Sequence, residues 1–93
     1  MIEDFMIRIR EDPRISRVHI SIYVSLWKIW VEVGKPKQIS FFRNDIKDMC
    51  KISSLTTYYK SLSELDEYGY IKYIPSVNHN KGSRVEFKAM GQN

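Results

Sequence analysis

Few residues in this 93-residue chain have the types and spacing that covalent or metal chemistry needs. The two histidines, His19 and His79, lie far apart, with no cysteine or carboxylate at ligand spacing, so no metal site is expected. Cys50 falls at an apolar-facing position and reads as a small core residue rather than a nucleophile. The glycines are isolated and form no phosphate-cradling loop, so no nucleotide or other cofactor is expected. Asp45 with Asp48, and Asp66 with Glu67, read as helix-surface charges rather than acid–base pairs. A catalytic constellation is therefore not expected, and binding chemistry is what remains.

The groups suited to binding fall in two places. Ser54, Thr56, Thr57, Tyr59, Lys60 and Ser63 crowd hydroxyls and one ammonium into a single stretch. His79, Lys81 and Arg84 surround Gly82 near the C-terminus. The charge pattern follows them. The chain has a net charge of +4, unevenly spread. Residues 1–34 are balanced, whereas 35–62 hold six basic residues (Lys35, Lys37, Arg43, Lys47, Lys51 and Lys60) against Asp45 and Asp48. Glu64, Asp66 and Glu67 make an acidic cluster, and Lys72, Lys81, Arg84 and Lys88 then outnumber Glu86. Two basic blocks flanking one acidic cluster suit a polyanionic partner.

Hydrophobic periodicity supplies the elements that must position these groups. Glu3 to Arg10 is ambiguous: Phe5, Ile7 and Ile9 alternate as in a strand, while Ile2, Phe5, Met6 and Ile9 suit one helical face. A short helix is expected. Ser16 to Val33 alternates through Val18, Ile20, Ile22, Val24 and Leu26, but the phase slips at Trp27 and the run is too long for a strand without a turn. A central helix is expected, with Ser16 as N-cap and Gly34 as its stop. A short extended piece, Gln38 to Phe41, precedes a helix over Arg43 to Cys50, with Ile46, Met49 and Cys50 turned inward. After a break at Lys51 to Ser53, Leu55, Tyr58, Leu62 and Leu65 mark the inner face of a helix over Ser54 to Tyr68, capped by Ser53 or Ser54 and ended by Gly69. That face leaves Thr56, Lys60, Ser63 and Glu67 on the opposite side, with Thr57 beside them. Two strands, Ile71 to Ser76 and Arg84 to Met90, enclose a polar hairpin tip over Val77 to Ser83. Ile71, Tyr73, Val85 and Phe87 would face inward, and Lys72, Arg84, Glu86 and Lys88 outward. The fold class expected is α+β.

From residue 38 the order is short strand, helix, tight break, helix, strand, basic loop, strand. The stretch from Ile52 to Ile71 resembles the winged helix-turn-helix family. A Ser-rich turn, Ser53-Ser54, opens the second helix, and Thr57, Leu62, Leu65, Tyr68, Gly69 and Ile71 stand at the family's spacings. The hairpin from Ile71 to Phe87, with Asn80-Lys81-Gly82-Ser83 at its tip, is similar to the family's wing. Phe42 departs from the pattern, standing where a Ser or Thr often caps the first helix of the motif. The likeness runs over roughly residues 16–90 and is nearest to small DNA-binding or regulatory proteins of mobile genetic elements. It implies a three-helix core with a C-terminal β-hairpin wing, here with a short extra N-terminal helix. It also implies sequence-specific binding of double-stranded DNA by a transcriptional regulator. Under that reading the contact residues are Ser54, Thr56, Thr57, Tyr59, Lys60, Ser63, His79, Lys81 and Arg84, with Lys35, Lys37, Lys47 and Lys51 as phosphate neighbours. Two alternatives remain: an accessory protein for replication, excision or transfer of a mobile element, and a winged-helix protein-interaction module without DNA contact.

At this length a single domain is expected, organised as an N-terminal extension (1–15), the main domain (16–90) and a tail (91–93). A lone cysteine excludes a disulfide-stapled fold. No apolar run reaches membrane length, and residues 1–12 lack a signal-peptide core, so a cytoplasmic protein is expected. Tyr23, Trp27 and Trp30 read as core or interface filling, and Trp27 and Trp30 point to a homodimer through the N-terminal helices.

Overall fold

The computed structural model describes residues 2–76 and 82–88. The order is α1 (Ile2–Arg10), α2 (Arg17–Glu32), β1 (Ile39–Phe41), α3 (Arg43–Cys50), α4 (Leu55–Glu67), β2 (Ile71–Ile74) and β3 (Ser83–Phe87). The described residues therefore form an α+β domain, with a three-stranded antiparallel sheet in the order β1-β3-β2. No helix among them is long and apolar enough to cross a membrane.

In α1 helical periodicity prevails over strand alternation. Phe5 is fully buried and Ile9 packs on the core, whereas Ile7, which alternation would place beside them, is 63% exposed. Glu3 and Asp4 in its first turn and Arg8 and Arg10 in its last complement its macrodipole. Phe5 stacks on Tyr23 of α2 at 3.7 Å between ring centroids and meets the edge of Tyr70 at 5.5 Å. The N-terminal extension thus contributes directly to the core shared with residues 16–90.

Helix α2 starts at Ser16, whose Oγ accepts the His19 amide N–H while the His19 ring accepts the Ser16 N–H. It stops just before Gly34, as its capping residues indicate. Ile22, Tyr23 and Leu26 are its buried apolar line. Helix α3 begins at Phe42 without a side-chain cap and ends at Lys51 in the left-handed conformation (φ 59°). Ile46 is buried and Cys50 half-buried, with the Cys50 Sγ 3.2 Å from the Ser25 Oγ. Met49, expected on the inner face, is 42% exposed. It lies about 60° round the helix from Ile46, on the side away from Cys50, and so falls off the buried stripe.

Helix α4 buries Tyr58, Ser61, Leu62 and Leu65. Leu55, also expected inward, is 41% exposed: as the first helical residue, about 60° from Tyr58, it projects beyond the core. Ser61 takes its place on the buried face. Gly69, with φ 86°, reverses the chain into β2 where a side chain would strain the left-handed turn. The hairpin follows the expected alternation. Ile71 and Val85 are buried, Tyr73 and Phe87 half-buried, and Lys72, Arg84 and Lys88 exposed. Glu86 is half-buried rather than exposed, because the Gln38 amide donates to it at 2.6 Å. Both strands are shorter than expected: Pro75 and Ser76 lie outside β2, and β3 ends at Phe87 but gains Ser83 from the expected tip. Residues 77–81 of that tip, residues 89–90 of the expected second strand and the tail 91–93 lie outside the described residues. Strand β1 joins the far side of β3, pairing Ile39 with Val85, Ser40 with Arg84 and Phe41 with Ser83.

Candidate functional site

Helices α3 and α4 are separated by the four residues Lys51 to Ser54. The reversal depends on Lys51, whose left-handed backbone lets the Ile52 N–H return to the Lys47 carbonyl at 3.1 Å. Ile52 packs against the core and anchors the turn from below. Ser54 then caps α4, its Oγ accepting the Thr57 N–H at 3.2 Å. A shallow groove beside the turn is lined by Asn44, Lys47, Asp48, Lys51, Ile52 and Ser53.

Burial of Tyr58, Ser61, Leu62 and Leu65 fixes the rotation of α4. Thr56, Thr57, Tyr59, Lys60 and Ser63 are consequently all exposed and share one helix. Tyr59 leans edge-on against Tyr58, with ring centroids 5.1 Å apart, and its hydroxyl accepts from the Arg43 guanidinium at 3.4 Å. Arg43, on the first turn of α3, is the member of this surface that sequence reasoning did not single out. Its place in the basic block 35–62 was the available signal. The surface therefore offers hydroxyls and one ammonium on α4, bordered by Arg43, with Lys47 and Lys51 in the groove beside the turn. Its groups can donate to acceptors and neutralise anionic ones.

Arg84 is exposed on β3, opposite Ser40 of β1 and Ile74 of β2. His79 and Lys81 lie outside the described residues. Ser54 is committed to its cap, so its role at this surface is to hold the start of α4. Lys35 and Lys37 are exposed between α2 and β1, and the Lys35 ammonium lies 5.8 Å from the Trp30 ring centroid.

The acidic end of α4 is more structural than expected. Asp66, read from sequence as a surface charge, accepts the Tyr73 backbone N–H at 2.7 Å and so pins β2 to the helix. Glu64 receives the His19 Nε2–H at 2.9 Å and the Tyr68 hydroxyl at 3.1 Å. The His19 Nδ1 already accepts the Ser16 N–H, so the ring proton sits on Nε2 and points at Glu64. Partial desolvation raises the Glu64 pKa, but these two hydrogen bonds, together with nearby positive charge including Lys60, outweigh it and hold the carboxyl below its ordinary value. Sequence spacing did not bring His19 and Glu64 together; tertiary packing does. No group of three or more His, Cys, Asp or Glu able to hold a metal occurs among the described residues. Burial raises the Cys50 thiol pKa, a shift the Ser25 hydrogen bond partly offsets.

Compared with known proteins, the chain matches no family model, no curated protein and no solved structure.

Proposed function

We propose that this chain is a winged helix-turn-helix protein that binds double-stranded DNA by sequence, in the manner of a transcriptional regulator. The observation that carries the reading is the division of α4. One face is locked into the core, and the other presents Thr56, Thr57, Lys60 and Ser63 over its first turns, with Arg43 on Tyr59 at its edge and Lys47 and Lys51 lining the groove at the turn before it. A helix that reads the major groove needs small or polar side chains on its outer face near its N-terminus. Hydroxyls and an ammonium there meet base edges, while the flanking basic residues meet phosphates and set the register. Arg84, at the loop end of the hairpin's paired strands, reaches the neighbouring DNA backbone. The order of elements from β1 to β3 supports the same reading.

Selection from a random DNA library, with sequencing of the retained fraction, tests it. A shared motif is expected, and affinity should fall with salt by about 0.9 log units per log unit of salt for each phosphate neutralised. Replacing Lys47 or Lys51 with Ala should flatten that slope by about one for each true contact. A second reading, a winged helix that binds protein, is favoured by the exposed Phe42, Met49 and Leu55 on or beside the two helices. It takes first place if no DNA is retained even at low salt.

A further inference from the structure

Helix α2 has an apolar line at the rim of the core, against which Ile20 partly packs. Ile20, Val24, Trp27 and Val31 follow one another at intervals of four, three and four residues, the spacing of a two-stranded helical seam. Val24 and Val31 are each 38% exposed, and Ile20 and Trp27 are half-buried. Trp30 is different: its indole N–H donates to the Pro36 carbonyl at 2.7 Å and its ring meets Phe87, so it is engaged within its own chain. The charges at the ends of α2 indicate what covers the line. Arg17 opens the helix and Glu32 closes it, with no acidic residue in the first turn and no basic one in the last. Both oppose the helix's own macrodipole.

We propose that a second copy of this chain covers the seam, with its α2 antiparallel about a two-fold axis. Ile20 then packs against the partner's Val31, and Val24 against the partner's Trp27. Arg17 comes to the C-terminal turn of the partner helix, where the negative dipole end and the partner's Glu32 receive it. Glu32 is free to turn, since its neighbour Lys28 stands at 4.0 Å with both side chains more than 60% exposed. Charges that oppose their own helix thus complement an antiparallel copy, whereas a parallel pair would set Arg17 against Arg17. The inference does not rest on DNA binding.

Sedimentation equilibrium of the DNA-free protein at micromolar concentration tests it. The parent should be a dimer. Val24→Glu and Val31→Glu, at exposed positions, should be monomeric while keeping the parent's circular dichroism and a cooperative melt. Arg17→Glu should weaken the dimer about tenfold, because two symmetry-related pairs are reversed. Combining Arg17→Glu with Glu32→Arg should restore it. A monomeric parent, or folded Val24→Glu and Val31→Glu variants that remain dimeric, overturns the proposal. A double variant no tighter than Arg17→Glu overturns the antiparallel arrangement.

Discussion

On α4, neighbouring residues have opposite duties. Leu62 is fully buried, between exposed Lys60 and Ser63. Leu62→Ala removes several buried carbons and leaves a cavity, which should cost about 2–5 kcal/mol in urea unfolding. Thr57→Ala and Lys60→Ala touch no core contact and should change stability by no more than about 0.5 kcal/mol. Their loss should register in DNA binding. A base-reading side chain costs about 1–3 kcal/mol and relaxes preference at one position, while a phosphate contact weakens all sequences evenly. Variants that bind every DNA as the parent does would reduce this face to a solvated one. Thr57 and Lys60 were legible in the sequence because helical spacing alone separates them from Leu62. Arg43 was not, because its contact with Tyr59 joins two helices across a turn.

The elements are held at their ends by groups from elsewhere in the chain. Arg8 of α1 donates to the Tyr68 carbonyl at 2.8 Å, closing the C-terminus of α4. The start of α2 is tied through His19 to Glu64 of α4. The end of strand β1 lies close beside Gly82, where an added Cβ would overlap the Phe41 carbonyl oxygen. That obstacle is backbone inside a paired strand, so it cannot swing aside as a side chain would. Gly82→Ala should therefore force β1 and β3 apart and cost about 1–3 kcal/mol, the range for an overpacked site. An unchanged unfolding midpoint would mean that β1 adjusts freely. Sequence reading placed Gly82 at a flexible tip, and its actual constraint comes from a strand more than forty residues earlier.

Across the whole molecule, the segment after α1 is latched to the junction of α4 and β2. Asp12 accepts from the Arg14 guanidinium at 2.9 Å and from the Tyr70 hydroxyl at 2.8 Å. The Arg14 and Arg8 guanidinium groups lie over the Tyr68 and Tyr70 rings, at 4.1 and 4.2 Å from their centroids. The Arg14 hydrogen bonds, with help from Tyr70, hold the Asp12 carboxyl well below the usual carboxylate range. Burial and the bond to Asp12 push the Tyr70 phenol up to about 12. Because the Asp12 pKa is lowered on folding, its contribution is full above the unfolded value of about 3.9 and is lost as pH falls through and below it. Asp12→Asn should lower the melting temperature at pH 7, and the gap from the parent should narrow steadily below about pH 4. A gap equal at pH 7 and pH 3 would show that the latch does not depend on the ionised carboxylate.

Local chemistry determined most of the elements. Ser16 and Ser54 begin α2 and α4 because a hydroxyl satisfies a free helix N–H. Gly69 ends the α4 turn because it tolerates a left-handed backbone, and alternation sets the two faces of the hairpin. Helical spacing likewise placed Thr56, Thr57, Lys60 and Ser63 on one exposed face, since the Leu62 and Leu65 side chains must point the other way. Tertiary structure alone decided what depends on distant partners. It left Leu55 outside the core, brought His19 to Glu64, made Asp66 a backbone acceptor and set Arg8 on the end of α4. Each of these turns on where a helix ends relative to its neighbours, or on a contact spanning the chain. Periodicity reports which way a side chain points, not whether another element stands there to meet it.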